Sequence, residues 1–180
     1  MKILTCESPD KSTRTFINLP IQDVVNGLDK DNGWFEVIDM FDPDSELRIY
    51  FDIDTCKHDK DDVKRKTLDS LNMRLGTVDS DWAICQGHRD NRVSYHILSK
   101  KYKCSLRVLR DFGFALDLPW IDKSVYWYDH KEKTDENYFR LPNQSKTSIN
   151  KTGDPMLIEQ GSYEDFLIMH TEFLVSKKKL

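Results

Sequence analysis

Two aspartates end an apolar run in the first third of the chain. Residues 48–54 read Arg-Ile-Tyr-Phe-Asp-Ile-Asp, a pattern that predicts a strand. Alternate side chains of a strand share a face, so Asp52 and Asp54 should point together, with α-carbons roughly 6.5–7 Å apart. Neighbouring carboxylates repel each other, and a divalent cation with oxygen ligands removes that repulsion. Two exposed acids at a strand end, with Arg48 as a salt-bridge partner, explain the pattern without a metal.

A second run carries a polar row of a different kind. Residues 92–98 read Arg-Val-Ser-Tyr-His-Ile-Leu, so Arg92, Ser94 and His96 alternate with apolar side chains on a predicted strand. A guanidinium, a hydroxyl and an imidazole on one face offer hydrogen-bond donors suited to a triphosphate. A sheet with one solvated face, in which His96 is a surface histidine, has the same pattern.

A third acid and two basic residues follow later in the chain. Asp122 lies between apolar residues where we predict that a strand begins, and Arg140 lies on a short apolar strand. Ser145 and Lys146 fall in the loop after that strand. Each residue alone is explained by a salt bridge or by solvation. The order of all these residues along the chain is more specific than any one of them.

The ordered set resembles the archaeo-eukaryotic primase superfamily, whose three motifs are an acidic pair, Ser-x-His and a further acid. The PrimPol branch and the primase domains of large DNA viruses are more similar still. In these, a hydrophobic residue and the third acid precede Val-Tyr, and Phe-Arg-Leu and Ser-Lys follow. This chain has Ile121-Asp122-Lys-Ser-Val125-Tyr126, Phe139-Arg140-Leu141 and Ser145-Lys146, and the resemblance covers residues 34–146. It departs from the family in a longer segment between Tyr126 and Phe139, and no cysteine/histidine zinc module follows the core.

The resemblance implies a DNA primase or primase-polymerase that makes or extends primers from nucleoside triphosphates by two-metal catalysis. It implies that Asp52, Asp54 and Asp122 are catalytic and bind Mg²⁺ or Mn²⁺. The expected partners are a single-stranded DNA template, its primer, nucleoside triphosphates and a replicative helicase. The expected nucleotide-binding residues are Ser94, His96, Arg140, Ser145 and Lys146, to which the polar row adds Arg92.

Two other functions fit parts of the same pattern. A metal-dependent nuclease or another phosphoryl enzyme also uses an acidic pair with a third aspartate, but it would cleave DNA without nucleoside triphosphates. A non-catalytic DNA-binding module of a replication complex would bind DNA whether or not the aspartates were present. The presence of all three acids counts against the binding module.

The elements around these residues predict an α+β fold in a single domain, 1–180, with the motif-bearing core over 34–146. The resemblance implies a two-lobed core in which an RRM-like sheet carries the acidic motifs. We expect residues 175–180 to form a frayed tail. Apolar spacing and punctuating residues predict helices over 18–28, 61–75, 105–116 and 163–169, and strands over 34–39, 47–53, 81–86 and 92–99.

Composition narrows the class of protein. A net charge of −4 argues against general nucleic-acid binding through bulk charge, although a local groove can still be positive. The four cysteines lack zinc-ligand spacing, and their scatter is typical of a reducing compartment. No apolar stretch approaches the ~18 residues of a membrane span. We therefore expect no membrane partner and an intracellular protein, cytoplasmic or nuclear, including a viral protein acting in its host cell.

Overall fold

The computed structural model describes residues 2–7, 14–28, 33–40, 42–89, 91–126, 136–144, 147–148, 151–152 and 155–177. These ranges form a mixed α and β structure built on antiparallel sheets, compatible with the predicted α+β class. In chain order the elements are β1 Lys2–Glu7, β2 Arg14–Asn18, α1 Ile21–Gly27, β3 Phe35–Asp39, β4 Glu46–Thr55, α2 Lys60–Leu75, β5 Trp82–Gln86, β6 Val93–Ser105, α3 Leu106–Ala115, β7 Glu136–Arg140, β8 Thr147–Ser148, β9 Lys151–Thr152, β10 Leu157–Gln160 and β11 Val175–Ser176. Short 3₁₀ turns lie at Asp79–Asp81, Lys123–Tyr126 and Tyr163–Phe166.

Two larger sheets organise the described residues. The first has the strand order β2-β1-β3-β7. The second has the order β10-β5-β6, with β4 on the other side of β6 and β11 parallel to the end of β6. Beyond β4, a single antiparallel bridge joins Ile53 to Ile121. The chain therefore runs β4-α2-β5-β6-α3 and returns to the free edge of β4 at Ile121.

Helices α2 and α3 cover one face of the second sheet. Phe51 of β4 contacts Phe112 of α3, with ring centroids 6.1 Å apart, and the Tyr95 hydroxyl of β6 donates to a carbonyl at the start of α2. Both helices begin and end as their sequences predict. Asp59 caps α2 by accepting from two amides, and Ser105 caps α3. Gly76 ends α2 at φ 64°, a conformation that glycine adopts without strain.

The opposite face of the second sheet meets β7 of the first sheet. Phe139 packs on Tyr50, with ring centroids 5.2 Å apart, and on His96, with centroids 4.0 Å apart. The two sheets thus enclose the face that carries Asp52 and His96. No described helix is long and apolar enough to cross a membrane.

The prediction that a strand begins at Asp122 is wrong. Ile121 makes only its one bridge, and the Lys123–Tyr126 turn follows. The Asp122 carboxylate accepts hydrogen bonds from the Ser124 amide at 2.9 Å and the Ser124 hydroxyl at 2.6 Å. Such local side-chain bonds compete with strand pairing and favour a turn.

The end of the chain also differs from expectation. The helix predicted over 163–169 is a 3₁₀ turn that stops after Phe166, because the amides of Ile168 and Met169 donate to the Glu36 carboxylate instead of continuing the turn. The tail predicted to be frayed over 175–180 is paired over Val175–Ser176. Lys177 continues that pairing through its amide, which donates to the Lys103 carbonyl at 2.8 Å. Residues 178–180 lie outside the described residues.

Candidate active site

The register of β4 against β6 places the two polar rows side by side. Asp52 lies opposite His96, and Asp54 lies opposite Ser94. Opposed residues of an antiparallel pair share a face with Cβ atoms about 4.5–5.5 Å apart. The Asp52 Oδ1 and His96 Nε2 atoms are 3.8 Å apart. Two patterns separated by some forty residues of sequence thus form one surface.

A cavity of about 120 Å³ lies over this surface. Polar groups from separate chain segments converge on it, and aromatic side chains complete its wall. Among the predicted site residues, its lining includes Asp52, Asp54, Arg92, Ser94, His96 and Arg140. Its remaining lining residues are Phe35, Gly87, Arg89, Tyr138 and Phe139.

Arg92 neutralises Asp54 within this cavity. Its Nε and Nη2 atoms donate to the two carboxylate oxygens of Asp54, a bidentate pair. Its hydrogen bond to the Asp54 carboxylate raises the pKa of the Arg92 guanidinium. The salt-bridge partner that the sequence suggested, Arg48, is instead fully buried elsewhere. Arg48 lies four residues before Asp52 along β4, where its guanidinium donates to the carbonyls of Leu167 and Ser99 rather than to an acid of the cavity.

Arg140 enters the cavity from β7. Burial lowers the pKa of its guanidinium, while the charge of Asp52 opposes that shift. A Cβ atom at Gly87 would collide with the Met156 sulfur and lie 3.4 Å from Arg140 Nη2. A glycine at this position therefore allows the β5–β6 connection to approach both side chains.

Asp122 lies next to Asp52 through its backbone. Its amide donates to the Asp52 carbonyl at 2.8 Å, and the Asp54 amide donates to the Trp120 carbonyl at 2.8 Å. The Asp122 carboxylate, bonded to Ser124, does not line the cavity. Among the described residues, no three or more His, Cys, Asp or Glu side chains form a group that could hold a metal ion. The structure brings the two acidic segments together, but the Asp122 carboxylate does not join those of Asp52 and Asp54 in the cavity.

Val125 and Tyr126, noted in the sequence only as part of a motif, anchor the turn after Asp122. The Tyr126 hydroxyl donates to the Tyr50 carbonyl at 2.8 Å, and the Tyr50 hydroxyl donates to the Val125 carbonyl at 3.0 Å. Burial raises the pKa of Tyr126 well above its usual value, so its hydroxyl remains a donor. Asn137 Nδ2 also donates to the Val125 carbonyl, at 2.7 Å. These bonds tie the Asp122 turn to β4 and β7.

No protein-family model matches this chain, and comparison with curated proteins gives no match. The chemistry of the cavity must therefore be inferred from its own residues.

Sequence reasoning missed part of the cavity wall. Gly87 and Arg89 belong to the loop between two predicted strands, and Phe35 pairs with Arg140 across β3 and β7. The sequence marks Arg89 as a basic residue that could contact a template strand, whereas nothing in it marks Gly87 or Phe35 as part of this wall. Ser145 and Lys146 lie outside the described residues. The cavity combines two carboxylates with cationic and neutral donors, an arrangement that can bind a metal–polyphosphate group.

Proposed function

We propose that this protein is a template-directed nucleotidyltransferase, a DNA primase or primase-polymerase that builds or extends primers from nucleoside triphosphates. One observation carries the proposal: two carboxylates share a cavity with donors from two other chain segments. The carboxylates are Asp52 and Asp54. The donors are the Arg92, Ser94 and His96 row and Arg140. Nucleotidyl transfer needs this combination, because acidic ligands must lie beside groups that bind a triphosphate.

The donor set suits Mg²⁺ or Mn²⁺, which prefer carboxylate oxygens. Asp52, Asp54 and Asp122 would hold the ions. Two contacts must then exchange: Arg92 must release Asp54, and the Asp122 side chain must turn away from Ser124. When bound, a pair of such ions activates the attacking 3′-hydroxyl and stabilises the leaving pyrophosphate.

The donors of the cavity serve the triphosphate. Arg140 and Arg92 can each grip two phosphate oxygens, and Arg140 acts more strongly because it is largely desolvated. Phe139 holds the His96 ring in place, and Ser94 adds a hydroxyl donor. The cavity is smaller than the roughly 300–1,000 Å³ of a whole-ligand pocket, so it accommodates the phosphates and leaves sugar and base at its mouth.

The topology supports an RRM-like interpretation of the second sheet. The order β4-α2-β5-β6-α3, completed by the Ile121 bridge, follows a β-α-β-β-α-β pattern with its last strand reduced to one bridge. The first sheet would be the second lobe, which closes the cavity through β7. The proposal therefore treats the two sheets as the two lobes of a primase-polymerase core.

The deciding experiment is a primer-synthesis and primer-extension assay with Mg²⁺ or Mn²⁺. The variant Asp52→Asn with Asp54→Asn should lose nucleotide incorporation while keeping its circular dichroism spectrum and unfolding midpoint. A matched control, Asp42→Asn with Asp44→Asn, removes an exposed acidic pair of the same spacing and should incorporate normally.

Other outcomes separate the alternatives. Equal incorporation by the Asp52/Asp54 variant and the wild type would refute the proposal. Metal-dependent cleavage of DNA without triphosphates would identify a nuclease. DNA binding unaffected by the substitutions, with neither activity in the wild type, would identify a non-catalytic module.

A further inference from the structure

A second cavity, of about 350 Å³, lies beside the first. It forms where the end of β4 and the start of α2 meet the connection between β5 and β6. We call it the basic groove. Arg89 and Arg92 line both cavities, so the basic groove and the acidic site share a wall. The basic and imidazole side chains that line the basic groove are Lys57, His58, Lys60, His88, Arg89 and Arg92.

Apart from Arg92, which pairs with Asp54, the cations of the basic groove are not neutralised by carboxylates as other cations of the protein are. Within the described ranges, Lys57, Lys60 and Arg89 form no ion pair with a carboxylate. Further along α2, Lys64 pairs with Glu159, and Lys66 pairs with Asp62. The acid at the start of α2, Asp59, is occupied in accepting from the amides of residues 61 and 62. The basic groove therefore carries positive charge that an anionic ligand could neutralise.

Two imidazole rings lie at the basic groove. His58 offers a flat face, which a small anion such as sulfate would not use, and His88 is a buried neutral ring. The exposed His58 ring packs edge-on against Trp120, with ring centroids 5.2 Å apart, which holds a flat face at the groove. His88 Nδ1 accepts from the Ser94 amide at 3.2 Å, so the proton of the neutral ring lies on Nε2. That Nε2 atom is buried and has no hydrogen-bond partner among the described residues. Burial lowers the pKa of His88, which keeps the ring neutral at neutral pH, so His88 adds no charge to the groove.

We propose that the basic groove binds a segment of single-stranded nucleic acid. Its phosphates lie against Lys57, Lys60 and Arg89, and one base stacks on His58. Cations that follow a backbone and a flat ring that receives a base are the features by which proteins hold single strands. The shared wall leads such a strand to Asp52 and Asp54. Only that last step, delivery of the strand to the acids, rests on the proposed function.

The test measures binding of a fluorescein-labelled oligothymidylate by anisotropy, without metal ions or nucleotides. Lys57→Ala with Lys60→Ala should weaken binding about tenfold at low salt. It should also reduce the slope of log affinity against log salt by about 1.4, since each lost contact to a single strand removes about 0.7. Lys64→Ala with Lys66→Ala removes the same charge from α2 outside the groove and should leave that slope unchanged.

A third variant tests stacking separately from charge. His58→Ala should weaken oligothymidylate binding about tenfold and leave the salt slope unchanged, because a stacked ring releases no counterion. Unaltered affinity and slope in the Lys57/Lys60 variant would overturn the proposal. Binding of poly-glutamate equal to that of oligothymidylate would also overturn it, because the groove would then recognise polyanions in general.

The aspartate variant separates this inference from the proposed function. Asp52→Asn with Asp54→Asn should retain oligothymidylate binding through the basic groove while losing nucleotide incorporation. A wild-type protein that binds the strand through Lys57 and Lys60 but incorporates no nucleotide would refute the proposed function and support the groove. Incorporation that persists, with oligothymidylate binding insensitive to both lysines, would refute the groove alone.

Discussion

Strand β4 carries charged side chains in two opposite settings. At its end, Asp54 and Arg92 form an ion pair with side chains 24% and 54% exposed. Near its start, Arg48 is fully buried and donates to the carbonyls of Leu167 at 3.0 Å and Ser99 at 2.6 Å. The Asp54–Arg92 pair is in contact with solvent and can exchange partners. Arg48 cannot move away without depriving buried carbonyls of their hydrogen-bond donor.

A second buried charge completes the internal setting. Glu36 of β3 is fully buried and accepts from the amides of Ile168 at 2.6 Å and Met169 at 2.7 Å. Glu36 and Arg48 thus hold the segment 167–170 from two sides, joining the first sheet to the second. Charged side chains that bond to backbone groups stabilise the fold. Charged side chains that bond to other side chains can exchange those partners for a ligand.

The largest difference between the two settings should appear in stability. Arg48→Met should lower the free energy of unfolding by about 3–5 kcal/mol, because it leaves buried carbonyls unpaired and removes a charge that Glu36 faces. Arg92→Met makes the same chemical change at an exposed pair and should cost less than about 1 kcal/mol. Urea denaturation of both variants measures the contrast. Equal losses would show that burial does not distinguish the two settings.

The pH dependence of stability should report Glu36. Burial raises the pKa of Glu36 from 4.5 to about 7, against the opposing effect of its two amide hydrogen bonds. The folded protein then holds this proton more tightly than the unfolded chain. The contribution of Glu36 to stability is therefore complete below pH 4.5 and is lost as the pH rises through about 7.

Glu36→Gln removes that titration. Between pH 4.5 and pH 8, the unfolding free energy of the wild type should fall by about 3 kcal/mol relative to the variant, since one pKa unit corresponds to about 1.4 kcal/mol. Comparing the two proteins by urea denaturation at each pH cancels the groups that they share. A difference independent of pH would contradict a raised pKa.

The smallest of these effects concerns Arg140, which lines the same cavity as the Asp54–Arg92 pair. Arg140→Lys should weaken binding of a fluorescent nucleoside triphosphate about tenfold, because an ammonium cannot grip two phosphate oxygens as a guanidinium can. Arg107→Lys, at an exposed pair with Asp44, is the matched control and should bind the triphosphate as the wild type does. If both variants bind alike, Arg140 does not contact the phosphates.

Local sequence predicted most of the elements around the candidate site. The alternation of polar and apolar residues in 48–54 and 92–98 correctly predicted two strands. It also correctly predicted that Asp52 and Asp54 share one face, as do Ser94 and His96. The helical spacing ending at Gly76 predicted α2 because an αL cap is a local feature. Strand β6 extends to Ser105 rather than ending near residue 99, because β4 and β11 pair with its second half.

Local sequence failed where distant contacts decide the outcome. Arg48 is buried because its guanidinium donates to the carbonyls of Leu167 and Ser99, partners that the alternation within residues 48–54 cannot reveal. The prediction of a helix beyond Phe166 fails because Glu36 and Arg48, more than a hundred residues earlier in the chain, bond to the backbone that a longer helix would need. No pattern within residues 163–170 could reveal those partners.

The sequence by itself determined which face of each strand is polar, because the side-chain period of a strand is two whatever its neighbours. Only the tertiary structure decided that Asp52 opposes His96, that Asp54 pairs with Arg92, and that the Asp122 backbone joins β4. Strand order and register depend on how the apolar faces of separate segments pack together. That packing is a property of the whole chain rather than of any one segment.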